Sequence, residues 1–318
     1  MADYNNYLIY ILTQMRNQEE GVRAMAGLLL KNNIRNHYDE FHHEVKNYIK
    51  ESCIASLGDS HQLVRSTIGT VVTTLCSKGL SEWGSLLPAL YNLLAHPDGQ
   101  VVEGALGAIC KVCEDCAQDM ESPQLAGTLE ALIPRVLTFV DSPNEKLRFY
   151  AIQSLNQFVP SKPQALITHL NQYIQSLYNH ATDASSAVRQ AVCHGLVLLL
   201  EVRPDDLMPQ IGTIAEFMLH STQDQDENVA LEACEFWLAF PEQPNSYEIL
   251  LPLLPRLIPV LIHRMVYSEL DIDVLRGNED DYHVPDRSED IKPKILKGKQ
   301  KQAQHITNPE VRFYFHCF

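Results

Sequence analysis

The sequence lacks the local signals on which most enzyme active sites are built. Strand-type alternation of apolar and polar residues is scarce, so no strand is evident to carry a glycine-rich phosphate loop. No G-x-S-x-G or HExxH motif occurs, and no pair of acids stands in a supporting catalytic context. We therefore predict a protein that is not an enzyme and that uses no cofactor.

Positive charge is also in short supply. The 318 residues include 25 lysines and arginines against 40 aspartates and glutamates, which gives a formal net charge of −15. Nucleic-acid phosphates are repelled by such a chain, so the composition excludes a general nucleic-acid binder. The same charge favours a protein partner that carries a basic surface.

Leader and membrane signals are missing as well. No basic and apolar leader opens the sequence, because Met1-Ala2-Asp3-Tyr4 runs directly into a helical pattern. The most apolar stretch, residues 249–266, is interrupted by three prolines and two arginines, which makes it a poor membrane span. We expect neither a secretory leader nor a membrane-spanning segment.

The eight cysteines do not form the paired framework of a small secreted domain, so they indicate reduced thiols of the cytosol or nucleus. Cys110, Cys113 and Cys116 have a spacing that suggests zinc. On a helix, however, Cys116 falls about 120° around the axis from Cys110, and no fourth ligand lies nearby. We interpret the three as small buried thiols and predict no metal site.

What the chain does contain is an internal repeat, a valine–arginine step. Neighbouring steps lie roughly 38 to 45 residues apart, a period typical of HEAT and armadillo repeats. The sequence therefore predicts an all-α fold, a HEAT-repeat α-solenoid made of antiparallel helix pairs. The steps are Val22-Arg23, Val64-Arg65, Leu147-Arg148 and Val188-Arg189, with Val102-Glu103 and Val229-Ala230 in the same phase.

Each step is predicted to open the second helix of a pair, which we call the B helix. The first helix of each pair, the A helix, precedes it. Six complete pairs result, followed by a seventh A helix without a recognisable B partner. The A helices are predicted near residues 4–16, 44–57, 85–95, 128–140, 165–180, 207–221 and 247–267.

Start signals stand in front of the B helices. Residues 142–145, Ser-Pro-Asn-Glu, predict a capping box with Ser142 as the cap, and 224–227 and 17–20 are variants of it. Several A helices are predicted to carry a proline near their start, where a missing N–H costs little. These are Pro88, Pro134 and Pro209.

The turns and the step arginines recur together. Asp59 lies six residues before Arg65, Asp183 six before Arg189, and Asn17 six before Arg23. We predict that these acceptors and arginines link adjacent repeats in a hydrogen-bonded ladder that serves the scaffold. Small residues on the B helices, such as Gly104 and Gly195, are predicted to let neighbouring helices approach closely.

Several segments resemble the karyopherin-beta family of nuclear transport receptors. Residues 27–34, GLLLKNNI, resemble its N-terminal signature. Residues 77–79, Trp83 and 87–88 resemble the transportin branch, and so do 199–203, LLEVR, and 222–238, TQDQDENVALEACEFWL. The likeness runs from Asp3 to His305 and implies a HEAT superhelix of which this chain matches only the N-terminal arch, from the second repeat into the eighth.

The resemblance implies three parts of the chain. Residues 1–267 are expected to form the arch, 268–305 an acidic and then basic loop, and 306–318 an atypical tail. On composition alone the loop is a solvated, disordered insertion. In the transportins, a loop in the eighth repeat couples Ran–GTP binding to cargo release. Its acids are Asp271, Asp273, Glu279, Asp280, Asp281, Asp286, Glu289 and Asp290.

The resemblance also implies partners. It predicts a shortened nuclear import receptor that binds Ran–GTP on its B helices, binds phenylalanine–glycine nucleoporins between A helices near 128–140, 165–180 and 207–221, and shuttles between cytoplasm and nucleus. Cargo with a proline–tyrosine signal is expected for the family but not for this chain. The residues predicted to contact Ran are Lys31, Asn32, Arg65, Glu103, Glu114, Asp115, Asp226, Glu227, Glu232 and Glu235.

Two alternatives remain open at this point. An unrelated HEAT scaffold, such as a phosphatase regulatory subunit, would share the period and the ladder. A non-functional fragment of a receptor would share the signatures as well.

Overall fold

A computed structural model describes residues 2–244 and 246–265 of the chain, and every regular element in that part is helical. Five short 3-10 helices join some of the α-helices. The α-helices are α1 Ala2–Thr13, α2 Glu20–His37, α3 His43–Ala55, α4 Gln62–Cys76, α5 Leu86–Leu93, α6 Gly99–Met120, α7 Thr128–Leu137, α8 Glu145–Asn156, α9 Gln164–Thr168, α10 Leu170–Asn179, α11 Ser186–Val202, α12 Pro204–Leu207, α13 Ile211–Ser221, α14 Glu227–Ala239 and α15 Ser246–Arg264.

The helices stack in two rows, as the repeat period predicts. The six B helices are α2, α4, α6, α8, α11 and α14, and each packs against the next. In the other row α1 packs on α3, α3 on α5, and α5 on α7. Apolar residues at the step positions are buried from Val64 onward, because two rows of helices cover them. The all-α HEAT-repeat fold is confirmed, and so are the six B helices.

Two predicted A helices are interrupted. The predicted helix 165–180 is divided into α9 and α10 at His169, whose φ of −109° and ψ of 11° are not helical. The predicted helix 207–221 is divided among α12, a 3-10 turn at Met208–Gln210 and α13. Pro209 lies in that turn, where its missing N–H is tolerated.

The predicted caps are displaced by two residues. The cap of α8 is Asn144, whose side chain accepts the Lys146 N–H, and the cap of α14 is Asp226. Ser142 therefore does not cap α8. Glu19 precedes α2 without a side-chain cap hydrogen bond. Pro134 also differs from the prediction, because it lies inside α7 and not near its start.

Glycine sets the depth of α6 in the row of B helices. A Cβ on Gly104 would stand 1.8 Å from the carbonyl oxygen of Leu57, in the turn before α4. Only glycine permits this approach of a helix to a backbone. Gly195 is similar, because a Cβ there would lie 2.7 Å from both Asn156 Oδ1 and the Tyr173 hydroxyl. The predicted role of these small residues is confirmed.

The chain divides into two compact units, residues 1–249 and 250–318. Within the described residues, α15 is the one helix that is long and apolar enough to cross a membrane by length and composition, although three prolines lie inside it. The predicted loop 268–305, with its eight acids, and the tail 306–318 lie outside the described residues.

Candidate protein-binding surface

Each turn in front of the B helices α4 to α14 is built in the same way. A side chain two residues before the helix cap accepts a hydrogen bond from the backbone N–H of the cap, at 2.9 to 3.2 Å. This short loop fixes the entry to the helix. We call these side chains the turn acceptors. They are Asp59, His96, Ser142, Asp183 and Asp224.

The step arginines join one turn to the next. Arg148 donates through Nε and Nη2 to the two carboxylate oxygens of Asp183, at 2.8 and 2.7 Å. Its Nη1 donates to the carbonyl oxygen of Ser142, in its own turn, at 2.9 Å. Arg189 repeats the arrangement with Asp224 and the Asp183 carbonyl. The predicted ladder is confirmed, and each such arginine is one rung of it.

The first rung is the most deeply buried. The Arg23 side chain is 0% exposed, donates from Nε and Nη2 to the Leu12 carbonyl at 3.0 and 2.8 Å, and pairs with Asp59. Asn17 is not its acceptor, contrary to the spacing argument. Burial raises the pKa of Asp59, but hydrogen bonds from Arg23 and the His61 N–H outweigh it, so the pKa lies below the ordinary value.

The ladder is interrupted at α6. Glu103 occupies the arginine position there, and His96 stands where the turns before α4, α11 and α14 carry an aspartate. Arg65 therefore donates from Nη2 to Glu103 Oε1 at 2.7 Å, and Lys146 reaches the same oxygen at 3.3 Å. The buried Nε of Arg65 has no hydrogen-bond partner. Burial raises the pKa of Glu103, yet hydrogen bonds from Arg65 and Lys146 hold it below the usual range.

A groove lies along this interruption. Its lining includes glycines of α4 and α6 and side chains of α4, α6 and α8. Above it Lys146 Nζ reaches Gln62 Oε1 at 2.7 Å, so side chains of α4 and α8 meet across α6. We call this the α4–α6–α8 groove. It is lined by Gln62, Arg65, Ser66, Gly69, Glu103, Gly104, Gly107, Lys111 and Tyr150.

The residues predicted to contact Ran all lie on B helices or their caps. Glu114, Asp115, Glu227 and Asn32 are exposed, whereas Lys31, Glu232 and Glu235 are partly covered. Asp115 accepts from Thr73 at 2.8 Å and Glu114 from Gln153 at 3.2 Å, so both are held against neighbouring B helices.

Three of the predicted residues have roles in the scaffold. Arg65 and Glu103 pair with each other where the ladder is interrupted, and Asp226 caps α14. The structure brings Arg65 and Glu103 together with Lys111, Lys146 and Tyr150, which the sequence reasoning missed. The sequence signal for this cluster was Gly104-x-x-Gly107, since two glycines in one helical turn indicate a helix surface that neighbouring residues approach closely.

The thiols that suggested zinc are buried side chains of α6. Burial raises the pKa of Cys116 to about 12, and the pKa values of Cys110 and Cys113 are raised as well, with nearby carboxylates adding to the effect. The protonated thiol is a poor metal ligand and nucleophile. Within the described residues, no group of three His, Cys, Asp or Glu side chains is placed to hold a metal.

Comparison with known proteins places this architecture in a family. The model for the importin-beta N-terminal domain matches residues 1–59, and that for the vacuolar 14 Fab1-binding region matches 100–200. The chain is 45% identical to Transportin-1 of Mus musculus over 95% of its own length and 34% of that protein. It is 43% identical to Importin subunit beta-2 of Schizosaccharomyces pombe over 97% of its length and 34% of that protein.

Solved structures agree on the fold. A crystal structure of importin beta superposes with a TM-score of 0.67 at 18% identity, covering 84% of this chain and 35% of that one. The Kap95:Nup1 complex gives a TM-score of 0.61 at 16% identity, covering 84% and 35%, and Kap121p bound to Nup53p gives 0.60 at 17%, covering 90% and 28%.

The chain belongs to the importin-beta, or karyopherin-beta, family, and its fold is the HEAT-repeat solenoid of that family. Within the family its sequence is of the transportin type, also called importin-beta-2. It spans about a third of the length of the curated relatives that it matches, 34% in both cases given above.

Proposed function

We propose that this chain is a protein-binding part of a nuclear import receptor and that its B helices bind Ran in the GTP-bound form. The observation that carries the proposal is the 45% identity to Transportin-1 over 95% of this chain. The relatives are transport receptors by name and not enzymes, which agrees with the lack of catalytic motifs. A phosphatase-type HEAT scaffold is not favoured, because repeat architecture alone does not require such identity.

The exposed side of the B helices has the properties that the proposal needs. Six parallel helices form an extended surface, and a protein partner is larger than any pocket between two of them. Glu114, Asp115 and Glu227 present carboxylates there, and the net charge of −15 favours encounter with a basic partner. Lys31 and Asn32 extend the proposed contact onto α2.

A pull-down with immobilised Ran tests the proposal. We expect the purified chain to be retained by Ran loaded with GTP and not by Ran loaded with GDP. Equal retention by both forms would contradict nucleotide-selective binding.

Charge reversal tests the face. Glu114→Lys combined with Asp115→Lys is expected to weaken retention at least tenfold, because two exposed carboxylates of α6 become cations. Glu130→Lys on α7 is the matched control, since Glu130 is exposed on an A helix. If the control weakens retention as much as the α6 variant, the B helices are not the binding face.

The A helices are the proposed contact for phenylalanine–glycine nucleoporins. The proposal rests on the family fold, of which solved examples are a Kap95:Nup1 complex and Kap121p bound to Nup53p. The grooves beside the helices near 128–140, 165–180 and 207–221 are the proposed places. A binding experiment with a phenylalanine–glycine peptide and Ran together tests it. We expect the chain to bind both at once, because they occupy opposite rows of helices, and displacement of one by the other would contradict the proposal.

Cargo carrying a proline–tyrosine signal is not proposed as a ligand of this chain, which spans a third of its relatives. Shuttling between the cytoplasm and the nucleus is proposed with the partners above. Tight binding of a signal peptide to the purified chain would overturn the cargo statement and would bring the acids of 268–290 into the account.

A further inference from the structure

Where the next turn supplies an aspartate, that aspartate pairs with the step arginine. At Arg148 and at Arg189 a single aspartate occupies both Nε and Nη2 side by side. This is the two-point geometry that suits a guanidinium and a carboxylate. Arg65 has the same position in its helix, but His96 replaces the aspartate and offers no carboxylate.

Arg65 is left with spare donor capacity inside the α4–α6–α8 groove. The residue is 8% exposed, and its Nε is buried without a partner. Glu103 satisfies Nη2 alone and shares the same oxygen, Oε1, with Lys146. A buried donor without a partner has lost its hydrogen bonds to water and gained none in return, so an acceptor delivered to it restores a hydrogen bond.

The groove carries an excess of positive charge in an acidic chain. Lys111 lines it and donates to Thr70 Oγ1 at 2.6 Å and to the Ser66 carbonyl at 3.0 Å, while Lys146 borders it. Two cations, Arg65 and Lys111, and one carboxylate, that of Glu103, therefore line the groove, and the ammonium group of Lys146 reaches Glu103 from beside it. Such a groove selects a negatively charged group and rejects a cation.

Three glycines line the groove, and Gly69 is the one with the most space above its Cα. Gly104 lies against the Leu57 carbonyl and Gly107 against the Tyr150 ring. At Gly69 an added Cβ would meet Lys111 Cδ at 3.4 Å, an ordinary contact, so a methyl group there narrows the groove without a clash.

We propose that the α4–α6–α8 groove is a binding site for an acidic side chain, Asp or Glu, of a protein docked on the B helices. The carboxylate engages Arg65 as Asp183 engages Arg148 and Asp224 engages Arg189, and it competes with Glu103, which keeps Lys146. The inference rests on the proposed function only in taking the acid from a docked protein. No bond is made or broken, and the exchange is one of ion pairs.

Titration of the full chain with a small acidic peptide tests the site directly. The probe is acetyl-Gly-Glu-Gly-amide, followed through the Nε–H resonances of arginine in nitrogen-15-labelled protein, with Arg65 assigned from Arg65→Lys. We expect a saturable shift at Arg65 and none at Arg148 or Arg189, whose Nε already donates to aspartate. The same peptide with glutamine in place of glutamate is expected to bind at least tenfold more weakly.

Two variants and a control complete the test. Gly69→Ala narrows the groove and is expected to weaken the glutamate peptide at least fivefold, whereas Gly212→Ala, with open space around it, leaves binding unchanged. His96→Asp supplies a carboxylate from the turn and is expected to reduce the Arg65 shift. An Arg65 resonance that does not respond, or that moves equally with the glutamine peptide, overturns the proposal. So does a Gly69→Ala variant that binds as the parent does.

The outcome is separable from that of the Ran experiment. A positive peptide titration with no GTP-selective retention leaves the groove in place and removes the proposed partner. GTP-selective retention with no Arg65 response removes the acidic-side-chain site and leaves the proposed function standing.

Discussion

The rungs between α8, α11 and α14 differ from the interruption between α4, α6 and α8. In the first region Arg148 and Arg189 each hold an aspartate at two points and their own turn at a third. In the second, Arg65 and Lys146 converge on one oxygen of Glu103. The backbone of the turns is the same in both, so the exchange of two side chains, at 96 and 103, changes a saturated scaffold contact into one with capacity to spare.

The largest effect is expected where a rung is fully buried. Arg23→Met removes the partner of Asp59 and leaves a buried carboxylate unpaired, which costs about 3–5 kcal/mol. Arg148→Met removes a rung whose arginine is 14% exposed, and water replaces part of the contact, so the loss is expected to be smaller. Urea unfolding of both variants measures the difference, and equal losses would show that burial does not distinguish the rungs.

Glycine at the interruption is the next test. Gly104→Ala places a methyl group against the Leu57 carbonyl and is expected to cost about 1–3 kcal/mol by forcing α6 outward. Gly99→Ala, at the start of the same helix and with open space around it, is expected to be neutral or slightly stabilising. Thermal melting compares the two, and a harmless Gly104→Ala would mean that α6 is free to shift.

Closing the interruption should stabilise the chain. His96→Asp supplies the missing carboxylate opposite Arg65 and is expected to contribute about 0.5–1.5 kcal/mol through one new hydrogen bond. The matched control is Ser142→Asp, which places a new carboxylate in the turn before α8. The step position that would pair with this turn is occupied by Glu103, so the new carboxylate has an acid as its partner and not an arginine. The control is expected to bring no gain. Equal stabilisation by both variants would contradict the idea that the gain comes from pairing the new carboxylate with Arg65.

The smallest effect is the pH dependence that a single regular rung contributes. Hydrogen bonds from Arg189 and from the Asp226 N–H outweigh burial and lower the pKa of Asp224. Because the folded pKa lies below the unfolded value of about 3.9, this stability is present above that value and is lost as the pH falls through the folded pKa. Unfolding at pH 5 and pH 3 measures it. Asp224→Asn should flatten the slope, and an unchanged slope would assign it to other groups.

The fold was predictable because the valine–arginine step is a short local motif and its period can be read directly from the sequence. Six B helices and the contacts of Arg65 with Asp59 and of Arg189 with Asp183, six residues apart, follow from that spacing. The pairing of each aspartate side chain with the arginine about 35 residues earlier does not. The caps were misplaced because Ser142 and Asn144 are both capping residues, and only the path of the turn decides between them. The break at His169 carries no proline or glycine to announce it.

The surface was harder to predict than the scaffold. Glu103 was correctly placed on a B helix, but its pairing with Lys146, 43 residues later, depends on how α6 and α8 meet. The unpaired Nε of Arg65 follows from the residue at 96, in a turn that no local pattern connects to it. Such groups become visible only when neighbouring repeats are compared position by position.

An arginine that donates hydrogen bonds both to its own turn and to the next one couples the stability of two adjacent repeats. In a linear array each repeat is stabilised by its neighbours, so the loss of one such arginine contact lowers the stability of the repeats on both sides of it. Arg148 and Arg189 meet at a single residue, Asp183, which gives its carboxylate to one and its carbonyl oxygen to the other. The helices from α8 to α14 are therefore expected to unfold together, because Asp183 accepts hydrogen bonds from both arginines.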